Sequence, residues 1–200
     1  MEKFSERLNR MSFSQTFVMS NKVREMKAKG IDVISLTLGE PDFDVPKNIK
    51  EAAFDAINNN FSHYSPVPGF LDLREAVCEK LKRDNNLEYI PNQICVSNGA
   101  KQSILNVLAS IINDGDEVIL PAPYWVSYDE MVKMMGGKSV FIETSIDTDF
   151  KMTAEQLENA ITPKTKALLY SSPCNPSGSF YTYEELEKIA NVIAKHPHIT

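Results

Sequence analysis

Hydrophobic positions follow two rhythms along this chain. Up to about residue 92 they are sparse. The stretch Met1–Gly30 is polar, with Val23 and Met26 on one helical face and Gly30 as a stop, which predicts an arm followed by one helix. The apolar run Val33–Leu36 predicts a short strand that enters the turn-rich segment Gly39–Asp44. Behind Pro46, Ile49, Ala52, Ala53, Ala56 and Ile57 recur at i, i+3, i+4, i+7 and i+8, the spacing of an amphipathic helix. Beyond the loop His63–Gly69, Leu73, Val77 and Leu81 mark a further helix.

From Gln93 onward the pattern is regular. Short β-branched runs at Ile94–Ser97, Glu117–Leu120, Ser139–Ile142 and Ala167–Tyr170 predict strands. Between them lie helical segments, one with Ile104, Leu105, Val107, Leu108, Ile111 and Ile112 as its apolar side and one from Tyr128 to Met135 that stops at Gly136-Gly137. Asn113–Asp116 predicts a turn. Thr153 with Gln156, and Thr182 with Glu185, have capping-box spacing, opening helices to Ile161 and to about Lys195. Strands alternating with helices predict an α/β fold: a parallel sheet covered on both faces. The last helix should return the chain to another parallel strand. Few residues follow it, so the domain is expected to continue past Thr200.

Composition narrows the functional classes. The 200 residues carry 21 basic and 27 acidic side chains, a net charge of −6, which argues against a nucleic-acid binder. With 42% hydrophobic and 24% charged residues the chain is of globular type. Cys78, Cys95 and Cys174 are odd in number and far apart, which speaks against a disulfide framework or a metal site and for a reducing, cytoplasmic setting. No run approaches the ~18 apolar residues of a membrane span, and no signal peptide is expected.

Three loops fall where strands end, the place where open parallel sheets bind ligands. Ser97–Gln102 joins a strand to a helix, and its small residues suit backbone amides approaching an anion such as one phosphate; Asn98-Gly99 equally suits a plain tight turn. Neither the P-loop nor the dinucleotide glycine spacing is present. Pro121–Tyr128 holds Trp125, the only tryptophan, which suits either stacking on a flat ring or core packing. Ser172–Gly178 places prolines around Asn175, either a rigid mount for one amide or a simple turn, and X–Pro bonds of this kind can be cis. Cys174 has no base placed beside it by any motif and is expected to be a bystander. His196 and His198 suit a solvated helix end, and Glu79, Lys80, Lys82 and Arg83 an exposed helix face.

Together these segments resemble the class I aminotransferases of the fold-type-I pyridoxal-phosphate enzymes, most closely their prokaryotic aspartate aminotransferase branch. The resemblance runs through Ser35–Asp44, Tyr64–Gly69, Leu73–Ala76, Asn98–Gln102, Gly115–Val118, Pro123–Trp125 and Asn175–Gly178, in the family's order and spacing. It implies a three-layer, mainly parallel large domain, incomplete at its C-terminus, over residues 46–200. Residues 1–45 would then form the N-terminal arm, helix and first strand and loop, part of the small domain. It implies that Gly99, Ala100 and Lys101 hold the phosphate of pyridoxal 5'-phosphate and that Tyr64 reaches the phosphate of a neighbouring subunit, hence a homodimer with shared active sites. Trp125 would stack on the pyridine ring, and Asn175 would bond the ring hydroxyl beside the substrate carboxylate. Gly39 would present its backbone to that carboxylate, and Lys101 would recognise a distal one.

The implied reaction is amino transfer between an amino acid and a 2-oxo acid, aspartate with 2-oxoglutarate, by a ping-pong route. An aromatic aminotransferase, a carbon–sulfur lyase of the same fold and a non-catalytic aminotransferase-like fragment are the alternatives. In the family the Schiff-base lysine, the aspartate beside the pyridine nitrogen and the arginine for the α-carboxylate all lie beyond the segment that ends at Thr200. No catalytic residue is therefore assigned within this chain. It is expected to be the N-terminal half of such an enzyme, and to be inactive alone.

Overall fold

The computed structural model describes residues 4–12, 15–36 and 38–200, with side chains of 15 and 16 left aside. Met1–Lys3 of the expected arm, Phe13 and Ser14, and Thr37 within the Ser35–Asp44 motif lie outside the described residues. The chain divides into two units, one of residues 1–21 with 104–200 and one of residues 22–103.

The first unit is built on a parallel sheet. Strands β1 (Glu117–Ala122), β2 (Lys138–Glu143) and β3 (Thr165–Leu168) are ordered β2-β1-β3, with Val118 opposite both Ser139 and Ala167. Side chains alternate across a strand, and β1 buries both of its faces. Val118 and Leu120 pack with Leu108, Ile112, Tyr128, Met131 and Val132, from helices α5 (Gly99–Ile111) and α6 (Ser127–Met134) and the turn after α5. Ile119 points the other way and packs with Leu157, Ile189 and Val192, from α7 (Ala154–Ala160) and α8 (Tyr183–Ile193). The expected three layers are present. Val107, placed by its spacing on the apolar side of α5, is instead half exposed, because the core takes Ile104, Leu105, Leu108, Ile111 and Ile112 and leaves Val107 outside.

Local signals placed the boundaries well. The Gly115 turn, at φ +88°, closes before β1, and Gly136, at φ +85°, ends α6 and accepts from the Gly115 amide at 3.0 Å. Both capping boxes form: the Thr153 Oγ1 accepts from the Gln156 amide at 3.1 Å, and the Thr182 Oγ1 from the Glu185 amide at 3.3 Å. A short helix α1 (Glu6–Asn9), capped by Ser5, lies against α6; it is too short for periodicity to announce it. The Arg10 guanidinium meets Asp114 at 3.4 Å, and the Ser12 amide donates to Glu130 at 2.7 Å.

After α8 the chain does return to the sheet. The Thr200 amide donates to the Lys166 carbonyl at 2.8 Å, and the Leu168 amide donates to the Thr200 carbonyl at 3.2 Å. That pair of bonds sets Thr200 opposite Ala167 as in a parallel ladder, with Ile199 buried.

Glu185 does more than cap α8. Its carboxylate also receives the Lys151 ammonium at 2.8 and 3.0 Å, and these bonds hold it below the usual carboxylate range. A carboxylate whose folded pKa is depressed stabilises the fold above its unfolded value, about 4.3, and loses that contribution as pH falls through the folded value. The midpoint of thermal unfolding is therefore expected to drop below about pH 4 in the native sequence, and Glu185→Gln is expected to flatten that dependence. A pH series of melting curves on the two proteins checks it.

The second unit contains the second half of α2 (Gln15–Ala28), with α3 (Lys47–Asn58), α4 (Leu71–Asn85) and the opening turn of α5. Val23 and Met26, with Ser20, are the partly covered positions among the described side chains of α2, and Gly30 follows at φ +77°. Helix α3 begins directly after Pro46, as expected. Two expectations fail here. Val33–Leu36 and Ile94–Ser97 are not strands. Ile34 and Leu36 are 88% and 93% exposed, and Ile94–Ser97 follows a 3-10 turn at Pro91–Gln93, with the Val96 amide bonded to the Pro68 carbonyl. A short apolar run signals extended backbone, but only a ladder partner makes a strand, and neither segment pairs in a sheet. Among the described residues of this unit none is buried.

Candidate functional site

In the first unit the two candidate loops leave neighbouring parallel strands at their carboxyl ends. Trp125 follows β1 by three residues and is half-buried; Asn175 lies in the loop after β3 and is exposed. A direct link ties the loops together: the Cys174 thiol donates to the Pro123 carbonyl at 3.4 Å. The expected bystander thus joins the segment of Trp125 to that of Asn175. Sequence reasoning missed this because the partners are 51 residues apart.

Each loop is also braced internally. In the Asn175 loop the Cys174 amide donates to the Ser179 carbonyl and the Gly178 amide to the Cys174 carbonyl, both at 2.8 Å. The Tyr181 amide donates to the Ser172 hydroxyl at 3.0 Å, and the Asn175 amide to the Ser171 hydroxyl at 3.3 Å. Cis peptides occur at Ser172–Pro173 and Asn175–Pro176, and at Ala122–Pro123 in the other loop. The Thr144 hydroxyl donates to the Ala122 carbonyl. Tyr124 turns toward β2 and stacks on Phe141, with ring centroids 5.4 Å apart at 10°. Trp125 turns the other way and meets Tyr128 edge-on at 5.5 Å and 84°. A shallow recess between the loops is lined by Pro123, Tyr124, Tyr128, Tyr170, Cys174 and Tyr181. Burial raises the phenol pKa values of Tyr170 and Tyr181, so both rings stay neutral at physiological pH.

In the second unit Gly99 opens α5 at φ +79°, a backbone conformation that suits glycine, and its missing Cβ would meet nothing within 4 Å. The first-turn amides of a helix have no partner within it and point out along its axis, and the macrodipole favours an anion there. The first turn of α5 carries no acidic residue. The Gly99 amide itself donates to the Ser97 carbonyl at 2.8 Å, and the Gln102 side chain takes the Asn98 amide, so these two amides are engaged within the turn. This turn fits a phosphate: a glycine entry, a helix N-terminus and no acidic residue within its first turn.

Tyr64 and Gly39 lie on exposed loops of the same unit. The Tyr64 ring is fully exposed. Its loop is pinned behind it: Arg74 donates to the Gly69 carbonyl at 3.1 Å and to the Pro91 carbonyl at 2.8 Å. Gly39 has no heavy atom within 4 Å of where a Cβ would stand. The candidate residues are therefore distributed, with Trp125 and Asn175 mounted on joined loops in one unit and Gly39, Tyr64, Gly99, Ala100 and Lys101 in the other.

With this geometry in hand, similarity to known proteins is specific. The family model described as aminotransferase class I and II matches residues 31–200. An aspartate aminotransferase of Bacillus sp. (strain YM-2) is 50% identical over 191 residues, covering 96% of this chain and 49% of that protein. An aspartate/prephenate aminotransferase of Cereibacter sphaeroides is 48% identical over 199 residues, covering 100% of this chain and 50% of that protein. The solved structure of Thermus thermophilus aspartate aminotransferase with maleate superposes with a TM-score of 0.94 at 42% identity, covering 98% of this chain and 51% of the other. The chain spans about half the length of the curated relatives it matches. Its layered parallel sheet, its loops and these likenesses agree: the chain belongs to the class I and II aminotransferases, with the α/β architecture of fold type I.

Proposed function

We propose that this chain supplies the cofactor-holding half of a pyridoxal-phosphate-dependent aminotransferase that moves an amino group between aspartate and 2-oxoglutarate. The observation that carries the reading is the pair of joined loops at the ends of β1 and β3, presenting Trp125 and Asn175 from rigid mounts. Pyridoxal phosphate, when bound, supplies an electron sink and a carrier for the amino group.

The residues of this chain then have distinct tasks. The amides of Ala100 and Lys101, behind the Gly99 turn, hold the phosphate. The Trp125 indole lies against the pyridine ring and sets its plane, and the Asn175 side-chain amide donates to the ring oxygen. Gly39 leaves its backbone open to the substrate α-carboxylate, and the Lys101 ammonium pairs with the distal carboxylate of aspartate or glutamate. Binding energy spent on that second carboxylate positions the Cα–H bond for proton removal. The dicarboxylate maleate in the Thermus structure is in keeping with this preference. We place residues 46–200 in the large cofactor-binding domain and residues 1–45 in the arm and small domain.

The full-length protein acts as a cytoplasmic homodimer in this reading. The exposed Tyr64, with exposed Phe43, Phe54, Phe61 and Val67 in the same unit, supports a second copy that takes up this surface and shares its site. A second reading, favoured by the name of the Cereibacter relative, adds prephenate as an amino acceptor.

The lysine that carries the cofactor, the acid beside the pyridine nitrogen and the arginine for the α-carboxylate are assigned to residues beyond Thr200. Purified residues 1–200 with pyridoxal phosphate, aspartate and 2-oxoglutarate are therefore expected to form no oxaloacetate above the free-cofactor background. The full-length protein is expected to form it at enzymatic rates, and a panel with prephenate and aromatic amino acids separates the acceptor readings. Turnover by residues 1–200 alone would refute the division of labour.

A further inference from the structure

The indole of Trp125 stands just before α6, half-buried and packed against the core cluster that contains Tyr128. A stacking residue that is not held in one orientation loses entropy each time a ring binds. Tyr128 is a contact that holds this one. It sits three residues on, the spacing at which side chains share a helix face, and it touches Trp125 twice. Its amide donates to the Trp125 carbonyl at 2.9 Å, and its ring meets the indole at 5.5 Å and 84°.

Tyr128 is itself held by the core: it is 6% exposed and packed with Val118, Leu120, Met131 and Val132 on one face of the sheet. A perpendicular ring contact occupies at most one face of the indole, so it can fix the orientation of Trp125 without spending both faces. Tyr124, although adjacent, gives no such support, because it stacks on Phe141.

We propose that Tyr128 is a positioning residue that holds the Trp125 indole in the plane required for stacking on the cofactor ring; this rests on the assignment of Trp125 as the stacking residue. In this role Tyr128 acts through Trp125, by the edge-on ring contact.

The test uses the full-length holoenzyme and reads cofactor binding rather than turnover. Pyridoxal phosphate affinity and the circular dichroism induced in its visible band are measured for the native protein, Y128F, Y128M, W125L and the Y128M/W125L double variant. Y128M keeps an apolar side chain of similar bulk and removes the ring; if it does not fold by far-ultraviolet dichroism without cofactor, Y128L replaces it. An aromatic pair beyond its buried area corresponds to roughly two- to tenfold in affinity. Y128M is expected to weaken cofactor binding by about that factor and reduce the induced signal, and Y128F to retain both.

In the W125L background Y128M is expected to add nothing, since a residue that acts through another is silent once the other is gone. The proposal falls if Y128M binds cofactor like the native protein while W125L does not, or if the two losses multiply. If W125L itself leaves affinity and dichroism unchanged, the assignment of Trp125 falls first and this proposal with it.

Discussion

Replacement of Ile119 by alanine is expected to destabilise the chain by about 3–4 kcal/mol, among the larger costs a single aliphatic truncation produces. Ile119 is fully buried at the centre of β1, the middle strand, and its side chain is packed by Leu157, Ile189 and Val192 from two helices. Parallel sheets are covered on both faces, so the vacated volume cannot open to water, and the neighbouring strands limit collapse. Ile146, 78% exposed in the same unit, provides the control: its truncation is expected to stay within about 0.5 kcal/mol. Urea unfolding of the two variants beside the native chain decides the matter. Equal costs at the two positions would remove β1 from the centre of the core.

The second large effect concerns the start of α5. Gly99→Val is expected to lower pyridoxal phosphate affinity of the full-length protein at least tenfold, with a smaller change in overall stability. The left-handed backbone at φ +79° costs an L-residue roughly 1–2 kcal/mol, and more when it is β-branched. The side chain has room, since nothing lies within 4 Å of the Cβ position. The chain therefore relieves the strain by rotating the Ser97–Gly99 turn, which re-aims the amides of Ala100 and Lys101. Those amides are the groups assigned to the phosphate, and each 1.4 kcal/mol lost there is about a factor of ten. Equilibrium titration with the cofactor reads the effect, and an unchanged dissociation constant would place the phosphate elsewhere.

What could be read from sequence depended on how local the cause was. The three strands from Glu117 onward, the turns at Gly115 and Gly136, and the helices opened by Thr153 and Thr182 all follow from residues within a few positions of one another. Each of these signals formed, with β3 starting two residues before the expected Ala167. Val33–Leu36 and Ile94–Ser97 carry the same apolar signature as β1 yet are not strands, because pairing is a property of a neighbour and is not written in the segment itself. The placement of the Trp125 and Asn175 loops at strand ends was legible from motif order and parallel topology. The Cys174 thiol on the Pro123 carbonyl, the Lys151 ammonium on Glu185 and the Arg10 contact with Asp114 were not, since each joins residues far apart in the chain. The Tyr128 contact could have been found, because three-residue spacing from Trp125 on a helix start puts the two rings on one face.

The half-reaction with amino donor alone tests the central claim most directly. Full-length protein loaded with pyridoxal phosphate and mixed with aspartate, without any 2-oxo acid, is expected to convert its cofactor absorption to that of the pyridoxamine form and to release one equivalent of oxaloacetate per site. Release of pyruvate or ammonia with the pyridoxal band intact, or no spectral response to aspartate at all, would contradict an aminotransferase acting on this substrate.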